Sequence, residues 1–257
     1  MIIDTHAHYD DESFDEDRDA LIRGMRDHGV SKVLNAGASL SSAYEGLRLS
    51  EKYPEVYCAL GVHPNEIAEL TEADMDRIAA DAALPKVAAI GEIGLEYHYE
   101  EPGRELQKRW FRRQIALARA VKLPIIVHSR DAAQDTLDIL REERAEEAGG
   151  VIHCFSYSAE VAKICVSMGF YIGIGGVVTF KNGRKMKETV ETVPMERILL
   201  ETDSPYLAPV PYRGKRNCSW YLRYVAEEIG KLRGISTEEV IRITEENAYR
   251  AFPKLGN

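Results

Sequence analysis

The sequence predicts an α/β chain closed into one (β/α)8 TIM-type barrel spanning residues 1–257, with its active face at the C-terminal ends of the strands. Three observations predict it. Short β-branched or apolar runs alternate with longer amphipathic segments, the pattern of parallel strands joined by helices. Eight such strands can be counted. The chain has 257 residues, and barrels of this kind run to about 250 residues as a single unit. An open doubly wound sheet also satisfies the alternation, but the count and the length favour closure. The dinucleotide-binding form of an open sheet would carry GxGxxG after a strand, and the chain has no such motif.

The expected strands cover residues 2–8, 32–36, 56–62, 87–90, 124–128, 151–153, 170–174 and 198–200. Helical periodicity covers 14–28, 41–52, 72–82, 105–121, 132–147, 159–168 and 185–192, with 220–233 and 237–249 after the last strand. Gly29, the Gly149–Gly150 pair and Gly169 stand where helix C-caps belong. Thr71 and Ser236 stand where N-caps belong, and Glu239 three residues after Ser236 completes a capping-box pattern. With no Pro- or Ser-rich linker and no break in composition, the chain reads as a single domain.

The composition is 45% apolar and 29% charged, ordinary for a soluble folded protein. At this length about 70–75% of the unfolded chain's surface is covered on folding. The start of the chain carries neither a basic segment nor a long apolar stretch, and no window approaches the ~18 apolar residues of a membrane helix. Cys58, Cys154, Cys165 and Cys218 form no CxxC, so free thiols and a reducing cytoplasm are expected. Cys154 and Cys165 are expected to pack as small apolar residues. A net charge of −9 argues against a general basic surface that coats nucleic acid, while leaving room for a local phosphate-binding patch. The acidic run at 142–147 reads as a solvated helix face.

Metal-ligand residue types fall at the strand ends. His6 and His8 close the first strand, His63 follows the third, Glu92 the fourth, His128 ends the fifth, His153 the sixth, and Asp203 follows the eighth. A barrel brings these ends to one face. Side chains alternate along a strand, so Asp4, His6 and His8 share a side, with Asp4 one layer deeper as a supporting residue. By the same alternation Cys154 points away from His153. An isolated HxH would be weak evidence; six ligand-type residues at five strand ends are not. Four imidazoles and two carboxylates exceed one tetrahedral ion. They suit two divalent ions about 3.5–4 Å apart, with Glu92 as the best bridging residue. The nitrogen and oxygen donors fit Zn, Mn, Fe or Co, and Mg with retained waters.

The chain resembles the TatD family of metal-dependent hydrolases, a branch of the amidohydrolase superfamily. The matching segments are IIDTHAH at 2–8, GVHP at 61–64, GEIGLEYH at 91–98, the QKRWFRRQIALA helix with Gln107, Phe111 and Gln114, LPIIVHSRDA at 123–132, IHCFS at 152–156, ILLETDSPYLAP at 198–209, PYRGKRN at 211–217 and ENAYRAF at 246–252. The resemblance implies a barrel, a divalent-metal-dependent deoxyribonuclease or related phosphodiesterase, and two ions. It implies that His6, His8, Glu92 and Asp203 hold one ion, and that Glu92, His128 and His153 hold the other. Three positions depart from the family's usual pattern: Glu96 stands where Asp is usual, Tyr157 where Gly is usual, and Cys218–Ser219 where Glu-Pro is usual.

A two-ion site lowers the pKa of a shared water to near ~7, and Asp203 is the expected catalytic base. Expected substrate contacts are His63, His98, Arg130, Arg213, Lys215 and Arg216, with Lys181 as a further cation; the substrate would be DNA or a small phosphodiester. Tyr97, Tyr99 and Tyr157 are candidate base-stacking residues, and His28 reads as a helix C-terminal dipole contact. Two other functions compete. Hydrolysis of a small amide or ester is one, although relatives of that kind often bridge their metals with a modified lysine on the fourth strand. Glu92 takes that place here, and Lys86 lies at the strand's other end. A metal-binding protein without turnover is the other. Nothing in the sequence selects an oligomeric state, and a monomer is compatible with it.

Overall fold

In the computed structural model, which describes residues 1–256, eight parallel strands follow one another in chain order around a barrel. They are β1 (Ile2–Ala7), β2 (Val30–Ala36), β3 (Val56–Leu60), β4 (Val87–Glu96), β5 (Ile125–Arg130), β6 (Gly150–Ile152), β7 (Tyr171–Ile174) and β8 (Ile198–Leu200). The helices are α1 (Arg18–Arg23), α2 (Leu40–Lys52), α3 (Glu72–Asp81), α4 (Arg104–Val121), α5 (Ala133–Glu142), α6 (Ala159–Ser167), α7 (Arg184–Thr192), α8 (Leu222–Arg233) and α9 (Thr237–Ala251). No described helix is long and apolar enough to cross a membrane.

Both faces of the sheet are covered, so the strands are apolar almost throughout, as parallel strands are. Outward residues such as Val33, Val56, Ile90, Val127 and Ile172 pack into the helical layer. Inward residues Ile3, Leu34, Tyr57, Ala89, Ile126, Val151, Tyr171 and Leu199 fill the barrel together with Phe252 and Leu255 from the C-terminal segment. β1 and β8 meet along a short seam. Ala7 bridges Ser204 in parallel register. Asp203 N–H donates to the His6 carbonyl at 2.9 Å, and His8 N–H to the Ser204 carbonyl at 2.8 Å.

The caps follow the expected chemistry. The Thr71 hydroxyl accepts from Asp74 N–H, and the Asp74 carboxylate accepts in return from Thr71 N–H. Ser236 accepts from Glu239 N–H, but the Glu239 carboxylate turns to Arg242 instead of closing the box. Gly29, Gly149, Gly150 and Gly169 all take positive φ, and Gly150 also opens β6.

Three elements differ from the sequence expectation. The run 14–28 breaks into short pieces, of which α1 keeps six residues. Continuation past Gly24 would need Met25 N–H to reach the Leu21 carbonyl, but Trp220 Nε1–H takes that carbonyl at 3.0 Å. The run 132–147 stops at Glu142, because Arg144 turns left-handed at φ 53°. β4 extends to Glu96 rather than ending at Ile90, since Gly91 and Gly94 dilute its strand signal. A Cβ at Gly94 would lie within 2 Å of the His128 carbonyl oxygen (1.9 Å), at a φ of 148°. Only glycine lets β4 run this close to β5.

Candidate metal centre

β1 presents His6 and His8 to the barrel mouth, two residues apart on one side. Asp4 does not share that side as strand alternation predicts: the register shifts between Asp4 and Ala7, so Asp4 pairs with the outward-facing Val33 and bonds Thr202 and Ser219 behind the histidines. His8 Nδ1 donates to the Ala36 carbonyl at 2.9 Å, which turns its Nε2 toward the mouth. There it lies 3.1 Å from His6 Nε2. Asp203 approaches from the seam, with Oδ1 3.7 Å from His6 Nε2 and 3.6 Å from His8 Nε2.

Glu92 sits on β4 between two sets of imidazoles and is buried. Its Oε2 faces His6 at 3.3 Å and His8 at 3.7 Å. Its Oε1 faces His153 at 2.8 Å and His128 at 2.9 Å. Three trios bring their ligating atoms within 4.8 Å of one another: His6, His8 and Asp203; His6, Glu92 and His153; and His63, Glu92 and His128. So many lone pairs aimed at one another in a dry site repel unless a proton or a metal cation sits among them. The donor set therefore fits a metal, and the six predicted ligands come together here.

The charges agree. Burial pulls His8 and His128 toward neutrality, but Asp203 and Glu92 at His8, and Glu92 and Glu96 at His128, outweigh it and raise each to about 9. Burial and the neighbouring His153 lower His6 to about 4. Burial works against ionised Glu92, yet His153 and His6 hold it well below the usual carboxylate range.

A family model described as TatD related DNase matches residues 3–253. The chain belongs to that family. It is 46% identical over 252 residues to YabD of Bacillus subtilis, named an uncharacterized metal-dependent hydrolase, a match covering 98% of this chain and 99% of that one. It is 33% identical over 244 residues to a Salmonella typhimurium protein named 3'-5' ssDNA/RNA exonuclease TatD, covering 93% and 94% of the two chains. The crystal structure of a TatD homologue from Escherichia coli K12 superposes with a TM-score of 0.92 at 29% identity, covering 98% of both chains. This TatD chain is accordingly a metal-dependent hydrolase.

Around the centre, the expected substrate contacts separate. His63 Nδ1 accepts from Asn65 N–H at 3.2 Å, so its Nε2 carries the proton, 3.8 Å from Glu92 Oε1. Burial keeps His63 neutral, lowering it to about 3. The Gln114 side chain holds Val62, next to His63, by both backbone groups. Arg130 stays half-exposed at the rim, 3.8 Å from Glu96 Oε2. His98 lies on the rim as well, 3.5 Å from Asp131. Arg213 lies over the Phe180 ring at 4.3 Å and remains exposed, as do Lys215 and Lys181. Arg216 turns elsewhere: its guanidinium bonds the Ser13 carbonyl and the Asp17 carboxylate, tying the β8 loop to the start of α1. Of the tyrosines, Tyr97 bonds Asp135 and Tyr157 bonds Ser129 and Ala132 N–H, while Tyr99 stays exposed. His28, though exposed, stacks on Trp220 at 3.9 Å rather than acting only on a helix end.

Cys165 packs in the core as expected. Cys154 does not. It follows the end of β6 with φ 43°, where strand alternation no longer applies, and it lines a cleft beside the mouth. Burial, Asp203 and Glu201 push its thiol well above the usual range. All four cysteines are free thiols.

The departures from the family pattern have structural partners. Glu96 sits 3.3 Å from His128 Nε2, on the side away from Glu92, and its backbone is clasped by Gln107. Ser219 donates to Asp4 at 2.6 Å and accepts from the Tyr9 hydroxyl at 3.0 Å. Asp4 in turn accepts from Thr202, both backbone and hydroxyl, which braces the residue before Asp203. Cys218 is buried beside it.

Sequence reasoning missed Glu201. It is fully buried, accepts from Cys154 N–H, and lies 3.8 Å from His153 Nδ1, behind that ring's site-facing nitrogen. Burial raises its carboxyl to about 7. Its position two residues before Asp203 was the available signal. β7 leaves room for it only through Gly173, where a Cβ would lie 2.2 Å from Glu201 Oε2. Gly173→Ala is expected to cost about 1–3 kcal/mol, the usual range for overpacking, and to weaken metal binding through His153. Urea denaturation beside a metal titration checks both; unchanged values of both would refute the role given to Glu201.

Proposed function

We propose that this TatD protein is a divalent-metal-dependent phosphodiesterase, a deoxyribonuclease of exonuclease type working at two ions. The observation that carries the reading is Glu92, whose two oxygens face separate sets of imidazoles. His6, His8, Glu92 and Asp203 would hold one ion, and Glu92, His128 and His153 the other. Bound there, the ions supply Lewis acidity and the ionisation of water near neutral pH. The family description and the exonuclease name of the Salmonella typhimurium relative support a nucleic-acid substrate.

The side chains then divide the work. Asp203 lies deep in the mouth and stays ionised: burial opposes this, but His8 and His153 hold its carboxyl below the usual range. It takes the proton of the attacking water. His63, neutral, presents Nε2–H to a phosphoryl oxygen. Arg130, Arg213 and Lys215 offer cations to flanking phosphates, with His98 at the same rim. Lys86 supports this branch over amide hydrolysis, because its ammonium bonds the Pro54 carbonyl at the opposite end of β4 and no lysine bridges the site. Free thiols support a reducing, cytoplasmic location.

The test strips the protein with chelator and reloads it with Mg, Mn, Zn, Fe or Co against labelled DNA, RNA and small phosphodiesters. Cleavage is expected only after reloading. Hydrolysis of a small amide or ester with every phosphodiester left intact would overturn the reading in favour of amide chemistry. Stoichiometric metal uptake with no turnover on any substrate would leave a binding protein.

A further inference from the structure

A cleft of about 280 Å3 opens between the segments that follow β6 and β7. Cys154, the neighbour of His153, forms its inner wall. Its floor is apolar, made by Phe155, Val177 and Met186. Arg184 and Lys185 stand on its rim at the start of α7, both exposed. None of these residues is needed to explain the metal ligands.

The cleft lies on the cationic side of the mouth. The loops after β7 and β8 are tied together: Val210 N–H donates to Thr179 Oγ1 at 2.9 Å, and Arg213 covers Phe180. Lys181, Arg184, Lys185 and Arg213 therefore belong to one arc. The loop after β1 carries Asp10, Asp11, Asp15 and Asp17. A chain with net charge −9 thus still gathers these cations on the loops after β7 and β8.

We propose that this cleft is a second substrate subsite, which holds one nucleotide unit of a single-stranded nucleic acid next to the phosphate at the metal centre. The inference rests on the phosphodiesterase reading and adds to it the place where the unit flanking the scissile phosphate is held. A base lies against the apolar floor, and the phosphate of the same unit meets Arg184 and Lys185. Apolar contact to a base combined with cationic contact to the backbone is a means of holding single strands without regard to sequence. The size matches one unit rather than several, being just below the ~300–1,000 Å3 of small-ligand pockets. A small phosphodiester that fills only the metal centre does not reach it.

The experiment compares the metal-loaded protein with the Arg184→Gln/Lys185→Gln double variant. Both positions are exposed, and Arg184 pairs only with Glu188 on its own helix, so the fold does not depend on them. The probes are a labelled single-stranded DNA oligonucleotide and bis(p-nitrophenyl) phosphate. The ratio of kcat/KM for the oligonucleotide to that for the small diester is expected to fall about tenfold, the low end of a charge-assisted contact. The oligonucleotide's Kd, measured by fluorescence anisotropy, is expected to weaken by about the same factor. The slope of log Kd against log salt becomes shallower by about 0.7, one single-strand phosphate. A ratio and a Kd both within twofold of the unaltered protein overturn the proposal. If the unaltered protein cleaves neither probe, the phosphodiesterase reading falls, and the two dissociation constants alone decide the cleft.

Discussion

Glu92→Gln is expected to reduce turnover by more than the ~10–100-fold that loss of a supporting partner costs a metal site, and to leave less than two equivalents of metal bound. Gln is nearly isosteric, so the change removes charge and keeps shape. One amide oxygen remains to face a single set of imidazoles, and an NH2 group faces the other. Both sets lose the charge of Glu92, and the way the amide turns decides whether His6 and His8 or His128 and His153 also lose its acceptor oxygen. Metal content after dialysis, read by elemental analysis with circular dichroism as a control for folding, checks it. Full loading with near-normal turnover would contradict the bridging role.

The second large effect is expected at Asp203. Asp203→Asn should lower kcat at least a hundredfold, in line with the ~10²–10⁴ of a general acid–base group, while most of the metal stays bound. His6 and His8 keep their mutual geometry because His8 is fixed by the Ala36 carbonyl and not by Asp203. The variant is thus a test of proton transfer rather than of assembly. A fall in metal content matching the fall in kcat would make Asp203 a ligand and nothing more. Near-normal kcat would remove it from the chemistry.

The candidate ligands were legible because they obey two regularities the sequence displays: alternation along a strand, which pairs His6 with His8, and convergence of strand ends, which gathers Glu92, His128, His153 and Asp203. What was not legible lies where those regularities lapse. Cys154 sits two residues past the end of β6 in a left-handed conformation, so strand parity does not carry to it. β4 hid its second half behind glycines required by close approach to β5. The 14–28 run kept its buried face, with Phe14, Ile22 and Met25 inside, yet lost its helix to a hydrogen bond from Trp220, almost two hundred residues away. Arg216 looks like its neighbours in sequence and differs only in what lies opposite it, Ser13 and Asp17. Such partners are set by closure of the barrel, which no local pattern records.

On the proposed roles of these residues, that closure also governs when the molecule becomes active during synthesis. The seam joins residues 6–8 to 203–204, and the Asp4–Thr202 and Asp4–Ser219 bonds reinforce it. Until the last strand emerges, β1 has an unpaired edge and its histidines lack Asp203. Contacts spanning so much sequence form late and slowly. A growing polypeptide therefore holds most of the metal-binding side chains without the residue expected to move the proton. A hydrolase built this way stays inert toward its substrate until translation has passed the eighth strand.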